Sequence, residues 1–523
     1  MKYLNYMYKY MAFVYILLSL CSIDILYPAK YPAKHPANRL RTQACAYNKR
    51  NKTPHRITIK PFAAYCPQIG LEAAITCQPF SMINMQVARD VAQNNPMSFL
   101  HILCPEVDLP PADGQYYNKV YQRAHAGLHK FVQNGLLVRD AKPAFYIYRQ
   151  SSLRSSPYAL RGYGGQDVAS ADRCTDGKNN GLQSSVAVIA EIHLDDYFLE
   201  SIKPHELTKQ KNERWLQGLL QKQQADVDPV MLFYKSSPVI TTLIAHVMKA
   251  SPEIDFIAQD LSRHSVWRVS DFNLIKKMKQ SFARVKRLYI ADGHHRMSVR
   301  SKMQQIGRIH QGNGYTGKES FNYILAALCT QDEMRVISYN RAVKSLYGVA
   351  PEKFLERLKS YFEIEKVSES VFAVPTRRNM FGMYCNGAWY SLLLKKSVLQ
   401  KRKKSITSLT DELDASILYD LVLNHILPDS LPDSPTNKNT NDTRVSKVSG
   451  TEDNNIICIP GSLDIAEIEK KCALHDYAVV FIFYPVHINE IMNIVDAQKI
   501  MPPKTTFFMP KILAGLFVRL FNT

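Results

Sequence analysis

The sequence lacks most of the short signatures that announce a chemistry. Its 523 residues contain no Walker A loop, no G-x-G-x-x-G after a strand-like run and no G-x-S-x-G elbow. P-loop NTPases, Rossmann enzymes and α/β-hydrolases are thereby excluded. Gly162-Tyr163-Gly164-Gly165 sits in a Ser-rich stretch with no helix to follow it, and reads as a turn. The ten cysteines (21, 45, 66, 77, 104, 174, 329, 385, 458 and 472) show no CxxC or zinc-ribbon spacing, the closest two being eleven residues apart. That scatter excludes a disulfide framework and suits reduced, mostly buried thiols in a cytoplasmic protein. Haem, flavin and zinc have no signature. Long apolar runs are also missing. Met11–Cys21 is eleven residues, against the roughly 20 that a bilayer span needs, and no A-x-A cleavage site follows it. Membrane association, the alternative localisation, would rest on residues 10–27.

The apolar fraction of 46% and charged fraction of 21% are those of a globular protein. A formal charge of +20 suggests nucleic acid until its location is considered. Residues 1–60 carry eleven Lys and Arg against the single acid Asp24, half of the total. The rest of the chain is only mildly basic, and a basic tail argues for weak surface attraction rather than base recognition. Nucleic acid is therefore not the expected partner. The tetrapeptide repeat Tyr27-Pro28-Ala29-Lys30, Tyr31-Pro32-Ala33-Lys34 reads as an extended linker.

Strand-like runs alternate with helical spacing from Ile57 onward, which predicts a mixed α/β (α+β) fold. Strands are expected at Phe145–Tyr148, Val186–Ala190, Val230–Tyr234 and Leu288–Ala291, and helices at Met85–Gln93, Glu206–Gln223, Thr241–Lys249 and around Leu413–Leu427. The polar stretch 150–185 reads as an insertion or long hairpin loop. The expected organisation is a basic, poorly ordered extension (1–57), a main α/β domain (58–345), an α/β extension (346–427), a flexible loop (428–454) and a closing unit (455–523).

Chemistry concentrates at Asp292-Gly293-His294-His295-Arg296, between the apolar run Leu288–Ala291 and a helical pattern through Met297, Val299 and Met303. A strand-to-helix turn aims free backbone N–H groups and the positive end of the helix dipole at one spot. Gly293 permits the tight turn. His294 and His295 can donate to an anion, and Arg296 offers a fork for phosphate. Asp292 can orient an imidazole or hold magnesium. The bland alternative is a helix capped by Asp292 with incidental histidines; two His and an Arg exceed what a cap requires. A second group, His205-Glu206, places an acid/base pair near a helix start. It lacks the second His of a zincin, and alone would be a surface helix. Lys504, in Pro502-Pro503-Lys504-Thr505-Thr506, is a further candidate phosphate ligand.

Taken in order, these segments resemble the bacterial family called domain of unknown function 1015. The matching stretches are Ile59–Phe62, Asn95–His101, Phe145–Arg149, His205–Thr208, Ile290–Arg296, Tyr339–Arg341, Leu413–Leu418 and Met501–Lys511. The sequence departs from the pattern at Cys77-Gln78-Pro79-Phe80-Ser81, where Ser81 replaces a carboxylate, and at Lys504-Thr505-Thr506, where Thr505 replaces a Ser. The turn also resembles that of the ParB/sulfiredoxin-like superfamily, which includes nucleotide-binding partition proteins and free serine kinases. The resemblance implies a ParB/sulfiredoxin-like core with an additional C-terminal α/β unit. It implies ATP or ADP with magnesium as ligand, and Glu206 as the base, by its order in the chain.

Three readings follow from this. In the first the protein is a phosphotransferase acting on a small-molecule hydroxyl, with Gly293, His294, His295, Arg296 and Lys504 on phosphate, Asp292 on magnesium, and Glu206 with His205 catalytic. In the second it is a non-catalytic, ParB-like nucleotide- or DNA-associated module. In the third Asp292, His294, His295 and His205 form a metal-dependent hydrolase site.

Overall fold

The computed structural model describes residues 56–110, 116–153, 182–424, 455–461, 465–474 and 476–521. The basic extension 1–57 falls outside them but for its last two residues, as do most of the expected flexible loop 428–454 and residues 154–181 of the polar insertion. Among the described residues no helix is long and apolar enough to cross a membrane. Of the cysteines described, all are free, and Cys66, Cys77, Cys104, Cys329 and Cys385 are buried.

The architecture is mixed α/β, organised by two sheets. In the first, nine strands run in the order Ile202–Lys203, Leu288–Asp292, Val230–Tyr234, Tyr323–Thr330, Leu182–His193, Phe145–Leu153, Arg263–Val269 and Ile254–Ile257, with Ile59–Lys60 also pairing on Leu182–His193. Two pairings are parallel, Leu288–Asp292 with Ile202–Lys203 and Tyr323–Thr330 with Val230–Tyr234. Val230–Tyr234 and, up to its final Thr, Tyr323–Thr330 read as unbroken apolar runs because both faces are buried. Met231 and Phe233 join Tyr289 and Ala291 in one core, while Val230, Leu232 and Tyr234 join Leu288 and Ile290 in the other. Helices Pro238–Val247 and Phe272–Phe282 cover the second face; helix Ile488–Asp496 and the C-terminal segment cover the first.

Leaving the first sheet at Thr330, the chain makes one 3₁₀ turn and enters the second as Arg335–Val343. Six strands there follow the order Phe362–Val367, Ala388–Leu394, Met380–Cys385, Val479–Phe483, Arg335–Val343 and Ile456–Pro460. Thr506–Met509 pairs with the first half of Arg335–Val343, so this sheet contains strands from both sides of residues 425–454, which lie outside the described residues.

The segment after Lys511 returns to the first residues of the fold. Cys77 and Ala514 exchange backbone hydrogen bonds, as do Tyr65 and Val518. Arg519 then buries its guanidinium against Glu191 and Asp226, with 3.2 Å from Nη1 to Asp226 Oδ2, and donates to the Ser320 carbonyl at 2.7 Å. Arg300 reaches the same Asp226 at 3.1 Å.

Removing one partner of a buried ion pair leaves the others uncompensated. Arg519→Ala should therefore cost about 3–5 kcal/mol in urea unfolding. A loss below about 1 kcal/mol would show that the network is screened rather than buried.

Candidate functional site

The turn at Asp292 forms because the preceding strand is fixed and the following helix is long. Leu288–Ile290 are buried, and the pairing with Val230–Tyr234 slips between Ile290 and Asp292, a bulge after which Asp292 still pairs with Met231. Gly293 then adopts φ +92°, and a Cβ there would lie 3.1 Å from Arg296 Nε. Helix His294–Gln311 starts immediately after and has no side-chain cap. The backbone N–H groups of His294, His295 and Arg296 donate to nothing among the described residues. Three free donors at the start of an 18-residue helix carry the dipole's positive end.

Asp292 and Arg296 hold this turn from within. Asp292 Oδ2 accepts from Arg296 Nη2 at 2.9 Å, and Asp292 Oδ1 from Lys511 Nζ at 2.8 Å. Arg296 also pairs with Asp228 at 2.5 Å and donates to the Pro229 carbonyl at 3.1 Å. Burial alone would raise the Asp292 carboxyl, but Lys511 and Arg296 hold it well below the usual carboxylate range. These contacts correct two expectations. Arg296, expected as a phosphate fork, spends its guanidinium on Asp228 and Asp292. Asp292, expected as a magnesium ligand, has one oxygen on each of two cations. Among the described residues no three His, Cys, Asp or Glu side chains converge to hold a metal ion, so the hydrolase reading finds no ligand set.

The three histidines lie close together and are held neutral. His205 donates from Nδ1 to the Ile290 carbonyl at 2.9 Å, and its Nε2 accepts from Thr506 Oγ1 at 2.9 Å. Burial pushes its pKa down to about 4. Its ring centroid is 4.4 Å from that of His294, edge to face. His205 is thus a bracket between strand and C-terminal segment, with both nitrogens engaged. The Lys209 amide donates to His295 Nε2 at 3.0 Å, and the His205 amide approaches His294 Nε2 at 3.5 Å. Burial lowers both of these histidines too, assisted for His294 by neighbouring His205. Acceptance at Nε2 places the proton on Nδ1, so each ring presents a neutral Nδ1–H donor.

Glu206 and Lys504 supply the charges. Glu206 precedes helix Gln210–Gln223 by four residues, so the helix starts later than its spacing predicted. Burial raises its carboxyl, while the Lys504 ammonium and backbone amide work the other way. Against its own desolvation, Lys504 is held above its usual value by the Tyr339 hydroxyl and Glu206. Its ammonium lies 5.0 Å from the Tyr339 ring centroid. Lys504 adopts φ +55°, and buried Arg341 donates to the carbonyls of Lys504 and Pro503 at 2.9 and 3.2 Å. The structure therefore gathers Asp292–Arg296, His205, Glu206 and Lys504 at one place.

Sequence reasoning missed Lys511, Asp228 and Arg341. Lys511 and Arg341 lie in stretches already singled out by resemblance, and Asp228 precedes a Pro at the start of a predicted strand. Nothing local in the sequence links any of them to the turn.

Two measurements test the clamp. Gly293→Ala must hold a left-handed residue against Arg296, a cost of about 1–2 kcal/mol from the backbone alone, and should lower the melting temperature. A depressed carboxyl contributes stability above its unfolded pKa of about 3.9 and loses it as pH falls through the folded value. Lys511→Met should accordingly destabilise the protein most at neutral pH, with the deficit shrinking below about pH 4. An equal deficit at pH 7 and pH 3 would mean that Lys511 acts through packing alone.

Among solved structures, free serine kinase in complex with AMP is 15% identical with a TM-score of 0.28, covering 61% of this chain and 87% of that one. SbnI from Staphylococcus aureus, truncated at its C-terminus, is 11% identical with a TM-score of 0.32, covering 64% and 87%. A conserved hypothetical protein from Pyrococcus furiosus is 14% identical with a TM-score of 0.29, covering 64% and 95%. Scores this low do not say what this chain binds. No curated protein matches the sequence significantly. The sequence does match the family described as protein of unknown function (DUF1015) over residues 59–162 and 175–416, which include His205, Glu206 and the whole turn, and the chain belongs to that family.

Proposed function

We propose that the protein binds the phosphate groups of a nucleotide at the start of helix His294–Gln311. The observation that carries this reading is the set of three undonated amides at His294, His295 and Arg296, opposite Lys504. An uncapped helix start of this kind favours an anion through both hydrogen bonding and the dipole. The Nδ1–H groups of His294 and His295 add neutral donors, and the Lys504 ammonium adds a full charge. Arg296 contributes its backbone amide and keeps the turn rigid, while its guanidinium stays with Asp228 and Asp292.

The finer reading is a phosphotransferase acting on a small hydroxyl compound. Phosphoryl transfer needs positioning and charge neutralisation more than covalent participation by the protein. Glu206, whose carboxyl is raised by burial and lies close to Lys504, is the group suited to take the acceptor's proton. Magnesium finds no cluster of ligands among the described residues, so no step is assigned to it. Neutralisation rests on Lys504 and the helix start.

Calorimetry with ADP should show binding by the wild type, and both His295→Ala and Lys504→Met should weaken it about tenfold or more. Variants that keep full ADP affinity would sink the binding reading. Glu206→Gln should leave ADP affinity within about twofold while lowering phosphoryl transfer by about 10²–10⁴. Unchanged transfer would remove Glu206 as the base and leave a binding module.

A further inference from the structure

Beyond Tyr339 and Thr505, on the second sheet, lies a cavity that the phosphate reading does not use. Its inner part, about 50 Å³, is lined by Tyr339, Leu413, Asp414, Phe483 and Thr505 among others. It opens past Arg378, His487 and Glu490 into an outer groove of about 270 Å³. The inner part exceeds the ~10–15 Å³ that a single water needs. Its walls are largely apolar, and its lining includes the carboxylates of Asp414 and of Glu490, the second shared with the outer groove.

The two carboxylates differ in how they are satisfied. Glu490 pairs with Arg378 at 3.1 Å, and the same guanidinium donates to the Glu412 carbonyl at 2.7 Å. Asp414 is 6% exposed and accepts the Asn379 amide at Oδ1 over 3.0 Å. Its Oδ2 accepts from nothing among the described residues, and Asp414 makes no ion pair with any of them. Burial pushes its carboxyl up to about 7, with Glu490 adding to the effect and Arg378 opposing it. Glu490 is raised by burial as well, against Arg378. With Glu412 at the outer groove, three acids face one arginine, and His487 uses Nδ1 to accept the Asn489 amide at 3.2 Å. A buried carboxylate without a cation is costly, and a cation placed beside it removes that cost.

We propose that this pocket binds a small primary amine, its ammonium between Asp414 and Glu490 and its short carbon stem against Leu413 and Phe483. An ammonium offers three donors in a compact head, which suits a cavity of this size better than a planar guanidinium. The outer groove takes the remainder of the molecule. Tyr339 is a wall of this pocket and also contacts Lys504, so the amine and a phosphate at the helix start would lie on two sides of one side chain. The inference stands whether or not a nucleotide binds.

Calorimetry on the full chain with ethanolamine as probe tests it, with ethylene glycol, glycolate and ammonium chloride as controls. Ethanolamine should bind, and the three controls should bind at least about tenfold more weakly. Asp414→Asn retains the Asn379 contact through its carbonyl oxygen and should weaken ethanolamine about tenfold or more. Glu490→Gln should weaken it several-fold, and serves as the readout if circular dichroism shows the Asp414 variant unfolded. Equal binding of ethylene glycol or ammonium chloride, or unchanged ethanolamine affinity in both variants, would overturn the proposal. ADP titrations of the same variants should be unchanged, which separates failure here from failure of the phosphate reading.

Discussion

One ionised carboxylate organises the site. Asp292 sits at the end of a buried strand with Arg296 on one oxygen and Lys511 on the other. Charges removed from water must be closely paired to be tolerated. The pairing therefore dictates where three chain segments go. Arg296 is drawn to Asp228 at the start of Val230–Tyr234, Gly293 is forced into a conformation that only glycine adopts cheaply, and the segment holding Lys504 and Thr506 is brought over His205. The amides of the helix start are left without an acceptor among the described residues.

The same arrangement explains why the histidines are neutral. A protonated His294 would lie beside His205 and Lys504, and burial already disfavours its charge. The site thus pairs neutral imidazole donors with one cation, Lys504, instead of a dense block of positive charge. An anion bound as proposed would meet donors that need little desolvation, and their geometry would set its selectivity.

Much of the fold was legible because local pattern and burial agree. Val230–Tyr234 was bounded correctly, since a strand buried on both faces is an unbroken apolar run. Leu288–Asp292 and helix Met85–Asn94 extend their predicted spans by a single residue. The helix expected from Glu206 begins at Gln210 because residues before it are committed elsewhere: the His205 carbonyl accepts Met501 N–H, and the Lys209 amide goes to His295. The helix expected over Leu413–Leu427 is α-helical at Asp414–Leu418 and then widens to a π turn at Tyr419–Leu423. At the site, the turn and Glu206 could be singled out from composition. The roles of Asp292 and Arg296 could not, because their partners Lys511 and Asp228 are set by tertiary pairing. Lys511 lies 219 residues from Asp292.

That separation has a consequence for how the protein is made. Strand Leu288–Asp292 and the helix after it leave the ribosome long before Lys504, Thr506 and Lys511 exist as peptide. At about 5–20 residues per second, the 219 residues between Asp292 and Lys511 take on the order of tens of seconds to add. Throughout that interval the nascent turn carries a carboxylate with one of its two cations and a His205 without Thr506. The site is therefore assembled only after the segment holding Lys504, Thr506 and Lys511 has emerged, and an emerging chain cannot present the finished geometry before that segment has docked.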